Sequence, residues 1–138
     1  MKKFLFSFSL LACLASFSLA EPKFKKITLD DKFRSEGVGI GDFNKDGKND
    51  VVVGEMWYEA PKWTPHEIRK LRKENRGGYT DAFAVYPDDY NRDGWMDVLV
   101  IPFHGADAKW YENPKNKPGL WKANVIFPVS DGESPRLE

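Results

Sequence analysis

Cysteine is nearly absent from this chain, Cys13 being the single one in 138 residues. No disulfide can close within it, so packing, hydrogen bonds or a bound ion must hold the fold. Histidine is nearly as scarce, with His66 and His104 alone, which leaves no ligand set for a Cys/His zinc site. An excess of charge is missing too: 21 Lys+Arg stand against 21 Asp+Glu. That balance excludes the electrostatic footprint of a nucleic-acid binder or of a protein held on an anionic membrane. Beyond the first twenty residues no apolar run approaches the roughly 20 residues of a membrane span. There is no Gly-x-Ser-x-Gly, no His-Glu-x-x-His and no phosphate-cradling glycine loop.

The first twenty residues form a class of their own. Lys2 and Lys3 precede an almost wholly apolar run over residues 4–19, and Ser18-Leu19-Ala20 suits cleavage after a small-x-small site. Residues 1–20 therefore read as a signal peptide, and the protein as exported. Leu10-Leu11-Ala12-Cys13 offers a second version, a lipoprotein box that would leave Cys13 lipid-anchored. The continued apolar run over residues 14–20 favours simple secretion. Without this leader the count is 19 Lys+Arg against 21 Asp+Glu. The densest basic stretch, residues 69–76, is interrupted by Leu71, Glu74 and Asn75 and reads as a solvated connection.

What the chain does have is a repeat. Asp42-Phe43-Asn44-Lys45-Asp46-Gly47-Lys48-Asn49-Asp50 returns 47 positions later as Asp89-Tyr90-Asn91-Arg92-Asp93-Gly94-Trp95-Met96-Asp97. Both copies read D-x-N-x-D-G-x-x-D and run into an apolar strand, Val51-Val52-Val53 or Val98-Leu99-Val100-Ile101. Upstream, residues 36–41 align with 83–88, where Val38/Ile40 and Phe83/Val85 alternate as in a half-buried strand. Downstream, Trp57-Tyr58-Glu59-Ala60-Pro61 aligns with Trp110-Tyr111-Glu112-Asn113-Pro114, followed by Trp63 or Trp121 and a last β-prone segment near 66–71 or 124–129. Residues 66–76 could form a helix by composition, but their apolar spacing is weak and Pro65 and Gly77-Gly78 leave little room. The chain thus divides into a leader over 1–20, a lead-in over 21–32, repeat units over 33–80 and 81–130, and the start of a third over 131–138. Four short strands in about fifty residues suit one blade of a β-propeller. The expected fold is all-β: two four-stranded blades plus the start of a third, with an incomplete ring. Because a propeller typically needs about 4–8 blades, the expectation is an N-terminal fragment of a longer protein, whose remaining blades are its natural partners.

Oxygen donors at alternate places with glycine in sixth place are what a hard cation such as Ca²⁺ requires. In the first loop the donors would be the side chains of Asp42, Asn44 and Asp46, the carbonyl of Lys48 and the carboxylate of Asp50. In the second they would be Asp89, Asn91, Asp93, the carbonyl of Trp95, and Asp97. The opening matches an EF-hand loop, but the twelfth place holds Val53 or Val100 instead of glutamate, and strands replace the flanking helices. Three carboxylates and one amide per site point to structural Ca²⁺, two sites in all, with affinity in the extracellular range of about 10⁻⁴–10⁻³ M. The alternative is an Asp/Asn/Gly turn that holds itself by Asx hydrogen bonds without metal.

The pattern D-x-N-x-D-G-x-x-D-V-V-V behind a Gly-rich strand resembles the FG-GAP or VCBS repeat of integrin-α-like propellers. With WYE-x-P and Glu133-Ser134-Pro135 it is similar to long exported FG-GAP-repeat proteins of bacteria, over about residues 33–138. The resemblance implies Ca²⁺-stabilised blades outside the cytoplasm and no particular substrate. The recurring Trp-Tyr pairs read as packing between blades rather than as sugar platforms, while Trp95, inside a loop, is a candidate for ligand contact. His104 lacks an identifiable catalytic partner. The leading expectation is a non-catalytic module binding an extracellular protein or polysaccharide, with no nucleic acid and no transmembrane segment. The alternative is part of a propeller enzyme, lyase-like, acting on polysaccharide.

Overall fold

The computed structural model describes residues 22–71 and 78–130. The leader over 1–20 with Cys13, part of the basic stretch over 69–76, and the third repeat start over 131–138 lie outside the described residues. The chain is all-β. The first sheet comprises β1 (Gly39–Gly41), β2 (Asp50–Val53), β3 (Met56–Glu59) and β4 (Thr64–Glu67). The second comprises β5 (Ala84–Asp88), β6 (Asp97–Ile101), β7 (Ala108–Glu112) and β8 (Lys122–Phe127). Each is an antiparallel meander in chain order, the architecture of a propeller blade. Gly41 pairs with Asp50 and Asp88 with Asp97, so each acidic loop is the hairpin connection between the first two strands of its blade.

The core lies between the blades. Phe43, Val52, Trp57 and Ile68 of the first pack with Val85, Val98, Val100, Tyr111 and Trp121 of the second. Phe43 sits 5.7 Å from Trp57 and 6.0 Å from Trp121, ring centre to ring centre. Trp57, Tyr58 and Tyr111 are buried packing groups, while Trp110 is half-buried beside Tyr90. Backbone bonds cross the same seam, Trp121 N–H donating to the Ile68 carbonyl at 2.8 Å. The Glu36 carboxylate accepts from the Thr80 N–H at 3.0 Å and from its hydroxyl.

Three strands differ from the sequence expectation. Val38 and Ile40 were expected to face the core, yet they are 61% and 63% exposed, and Gly39 and Gly41 are buried. The reason is the approach of the neighbouring blade: a Cβ at Gly39 would lie 2.5 Å from Pro87 Cγ, and one at Gly37 2.8 Å from Val85 N. Only the glycine edge of this strand lets β5 come so close. The last strands also begin earlier than expected. β4 starts at Thr64 because Glu59 pairs with Thr64 across a turn closed by Trp63 N–H on the Glu59 carbonyl, at 2.6 Å. β8 likewise starts at Lys122, paired with Glu112.

The lead-in segment is fastened to the first blade. Asp30 accepts from Tyr58 Oη at 2.6 Å, from Arg34 Nε at 2.8 Å and from the Lys32 N–H at 2.9 Å. Burial alone would push its carboxyl up, but the Tyr58, Arg34 and Lys32 donors win and hold it well below the usual range. Burial and the Asp30 bond push the Tyr58 phenol up to about 12. A depressed carboxyl contributes stability above its ordinary pKa of 3.8, which is lost as pH falls through the folded value. Asp30→Asn should therefore cost about 1–3 kcal/mol at pH 7 in urea unfolding. The gap to wild type should narrow below about pH 4; a gap constant with pH would contradict the assignment.

Candidate functional site

The two acidic loops have one backbone. Lys45 and Arg92, in fourth place, have φ of 61° and 60°, and Gly47 and Gly94, in sixth place, have 81° and 84°. The left-handed turn in sixth place explains the shared glycine. Side chains repeat as closely. The first Asp of each loop accepts from the N–H of the fifth and sixth residues: Asp46 (3.1 Å) and Gly47 (2.9 Å) on Asp42, Asp93 (2.9 Å) and Gly94 (2.7 Å) on Asp89. Asn44 and Asn91 accept from the same Asp46 and Asp93 N–H, at 3.0 and 2.9 Å. Asp46 and Asp93 in turn accept from the Lys48 and Trp95 N–H, at 2.9 and 3.0 Å. These are the Asx bonds of a self-supporting turn. They use one lone pair of each oxygen and leave another for a cation.

The closing acids differ. Asp50 is fully buried, and both its oxygens are engaged, by the Phe43 N–H at 3.0 Å and the Ala60 N–H at 2.8 Å. Asp97 is equally buried; its Oδ1 accepts from the Asn113 N–H at 2.8 Å, but its Oδ2 makes no hydrogen bond. Burial raises both carboxyls, that of Asp97 to about 6, with Asp93 and Asp89 adding to the rise and the Asn113 hydrogen bond opposing it. A buried carboxylate oxygen without a partner, facing two more acids, is a feature that a cation would satisfy. Counting His, Cys, Asp and Glu alone, the described residues gather no group of three or more that could hold a metal ion. The donor set read from the spacing includes an asparagine and a backbone carbonyl, which such a count leaves out.

The loops are joined to each other. Asn113 is 3% exposed and donates its amide to the Phe43 carbonyl of the first loop and the Met96 carbonyl of the second, both at 2.9 Å. Asn116 Nδ2 reaches the Asn44 carbonyl at 3.1 Å. Lys45 Nζ lies 4.7 Å above the ring of the half-buried Trp95. Sequence reasoning missed Asn113. The available signal was the one varying place in WYE-x-P, Ala60 in the first unit and Asn113 in the second.

The histidines lie outside the two loops in sequence, although His66 shares a cleft with Phe43 and Asn44 of the first. His66 stacks on Trp57 at 4.2 Å and bonds Glu59 Oε2 at 2.8 Å, in a cleft of about 640 Å³ between the blades. His104 is exposed and lies 4.2 Å from the Phe103 ring.

The family model of the FG-GAP repeat matches residues 36–60, the span holding β1, the first acidic loop, β2 and β3. The chain carries an FG-GAP repeat. The second unit reproduces the strands, loop backbone and Asx bonds of that FG-GAP repeat around the core described above. No curated protein and no solved structure matches the chain. Among the described residues no helix is long and apolar enough to cross a membrane.

Proposed function

We propose that this protein is an exported, Ca²⁺-dependent FG-GAP-repeat propeller module, integrin-α-like in its repeat, that binds a protein or polysaccharide and has no catalytic role. The observation that carries the reading is the pair of loops with the same oxygen-donor spacing, the same left-handed turns and the same Asx bonds. Asp42, Asn44, Asp46, the Lys48 carbonyl and Asp50 would hold one ion. Asp89, Asn91, Asp93, the Trp95 carbonyl and Asp97 would hold the other. A bound Ca²⁺ supplies positive charge to carboxylates that otherwise repel one another. The chain itself supplies pre-organisation: the Asx bonds fix the first three side chains, and Asp50 and Asp97 anchor the loop to the residue that follows β3 or β7. The leader-like residues 1–20 and the extracellular habit of FG-GAP repeats support export.

Calorimetric titration of the full chain tests the reading. Wild type should bind two Ca²⁺ with dissociation constants of about 10⁻⁴–10⁻³ M, and Asp97→Asn should bind one. Without calcium, Asp97→Asn should melt no lower than wild type, because it removes a buried, half-partnered charge. A wild-type chain that binds no Ca²⁺ at millimolar concentration contradicts the reading.

A further inference from the structure

In each loop the fifth-place acid is already met by a lysine. Lys48 Nζ lies 2.7 Å from Asp46 Oδ2, reaching across two residues of its own loop. The second loop has Trp95 where the first has Lys48 and cannot use that solution. There the cation comes from outside the loop, Lys115 Nζ lying 3.0 Å from Asp93 Oδ2. The same place thus receives an ammonium by two unrelated routes. Those contacts hold the Asp46 and Asp93 carboxyls below their ordinary range.

The second route is built into the backbone. Lys115 and Asn116 have φ of 57° and 60°, and Lys117 N–H closes on the Pro114 carbonyl at 3.2 Å, which is a type I′ turn made without glycine. Left-handed lysine is uncommon. Asn113 anchors this turn: its Oδ1 takes the Lys115 N–H at 2.9 Å while its amide holds the carbonyls of both loops. Asn116 then reaches the first loop and Lys115 the second. Next to Asp93 stands the buried Asp97, with its unpartnered oxygen.

We infer that Lys115 is a resident counter-cation of the second loop, occupying Asp93 when no ion is bound and yielding the carboxylate when one enters. It sets affinity by competition. The lysine offsets one of the loop's three carboxylates, and the ion the loop accepts must displace an ammonium. A divalent ion with several oxygen ligands can do so, whereas a monovalent ion of the lysine's own charge gains little. The inference rests on the calcium reading above.

The test is Ca²⁺ titration of the full chain by calorimetry at low and high salt, with Lys115→Gln, Lys115→Arg and the neighbouring Lys117→Gln. Lys115→Gln should tighten one of two sites about two- to fivefold at low salt, with the gain shrinking as salt screens the pair. Lys115→Arg, which keeps the charge, and Lys117→Gln, which leaves the pair intact, should not tighten it. Adding Lys115→Gln to Asp97→Asn should give no gain, since the second site is already lost. Equal or weaker binding by Lys115→Gln, with its circular dichroism unchanged, overturns the counter-cation role while the calcium reading stands. Absence of binding in wild type overturns both.

Discussion

Phe43→Ala is expected to lower the unfolding free energy by about 3–5 kcal/mol, the usual cost of truncating a fully buried phenylalanine. Phe43 occupies the second place of the first acidic loop yet is 1% exposed, because the loop turns it back between Trp57 and Trp121. Its ring is therefore the plug that joins a polar loop to the apolar seam between blades. Truncation opens a cavity that rigid indoles on both sides cannot fill. Its backbone carries a second duty, since the Phe43 N–H bonds Asp50 and its carbonyl accepts from Asn113. The counterpart Tyr90 is half-buried, packs on Trp110 at 6.2 Å and bonds the Tyr86 carbonyl through its hydroxyl. Tyr90→Ala should thus cost clearly less. Urea unfolding of both variants checks this, and equal losses would contradict the placement of Phe43 in the shared core.

Asn113→Ala is expected to cost about 1–3 kcal/mol, because it strands buried acceptors. The Phe43 and Met96 carbonyls lose their amide donor, and the Lys115 N–H loses its acceptor, while the Asn113 backbone bond to Asp97 is kept. Loss of the side chain therefore separates the loops from each other without breaking either loop's own Asx bonds. Ala60→Asn is the informative partner: it places the same amide at the equivalent position in the first unit, where no such bridge exists, and should not stabilise. If Asn113→Ala unfolds in urea like wild type, the loops are not joined through this residue.

The blade plan was legible in the sequence because its signals are local. Donor spacing marks the loops, two-residue alternation marks β5, and the valine runs mark β2 and β6. What was not legible depends on the neighbouring blade. Alternation in residues 36–41 is real, but its buried side is set by β5, whose Pro87 leaves room only for glycine hydrogens, so Val38 and Ile40 turn outward. The start of β4 follows from a turn at Trp63, where a non-glycine residue at φ 59° gives no signal in composition. In the loops the donor places could be read, but not which oxygens are already bonded. Asp50 and Asp97 look equivalent in sequence, yet one is fully partnered and the other is not. Lys62 and Lys115 also look equivalent, and Lys115 alone completes an acidic loop, because only the second loop has tryptophan in seventh place.

The central claim, that these two loops are cation sites on which the blades depend, is tested most directly by the thermal unfolding midpoint of the full chain with calcium and with EDTA. At about 10 mM Ca²⁺ and dissociation constants of about 10⁻³–10⁻⁴ M, each occupied loop should add about 1.4–2.7 kcal/mol, which raises the midpoint by several degrees. Superimposable melts in calcium and in EDTA would contradict the claim and leave the loops as turns held by their own Asx bonds.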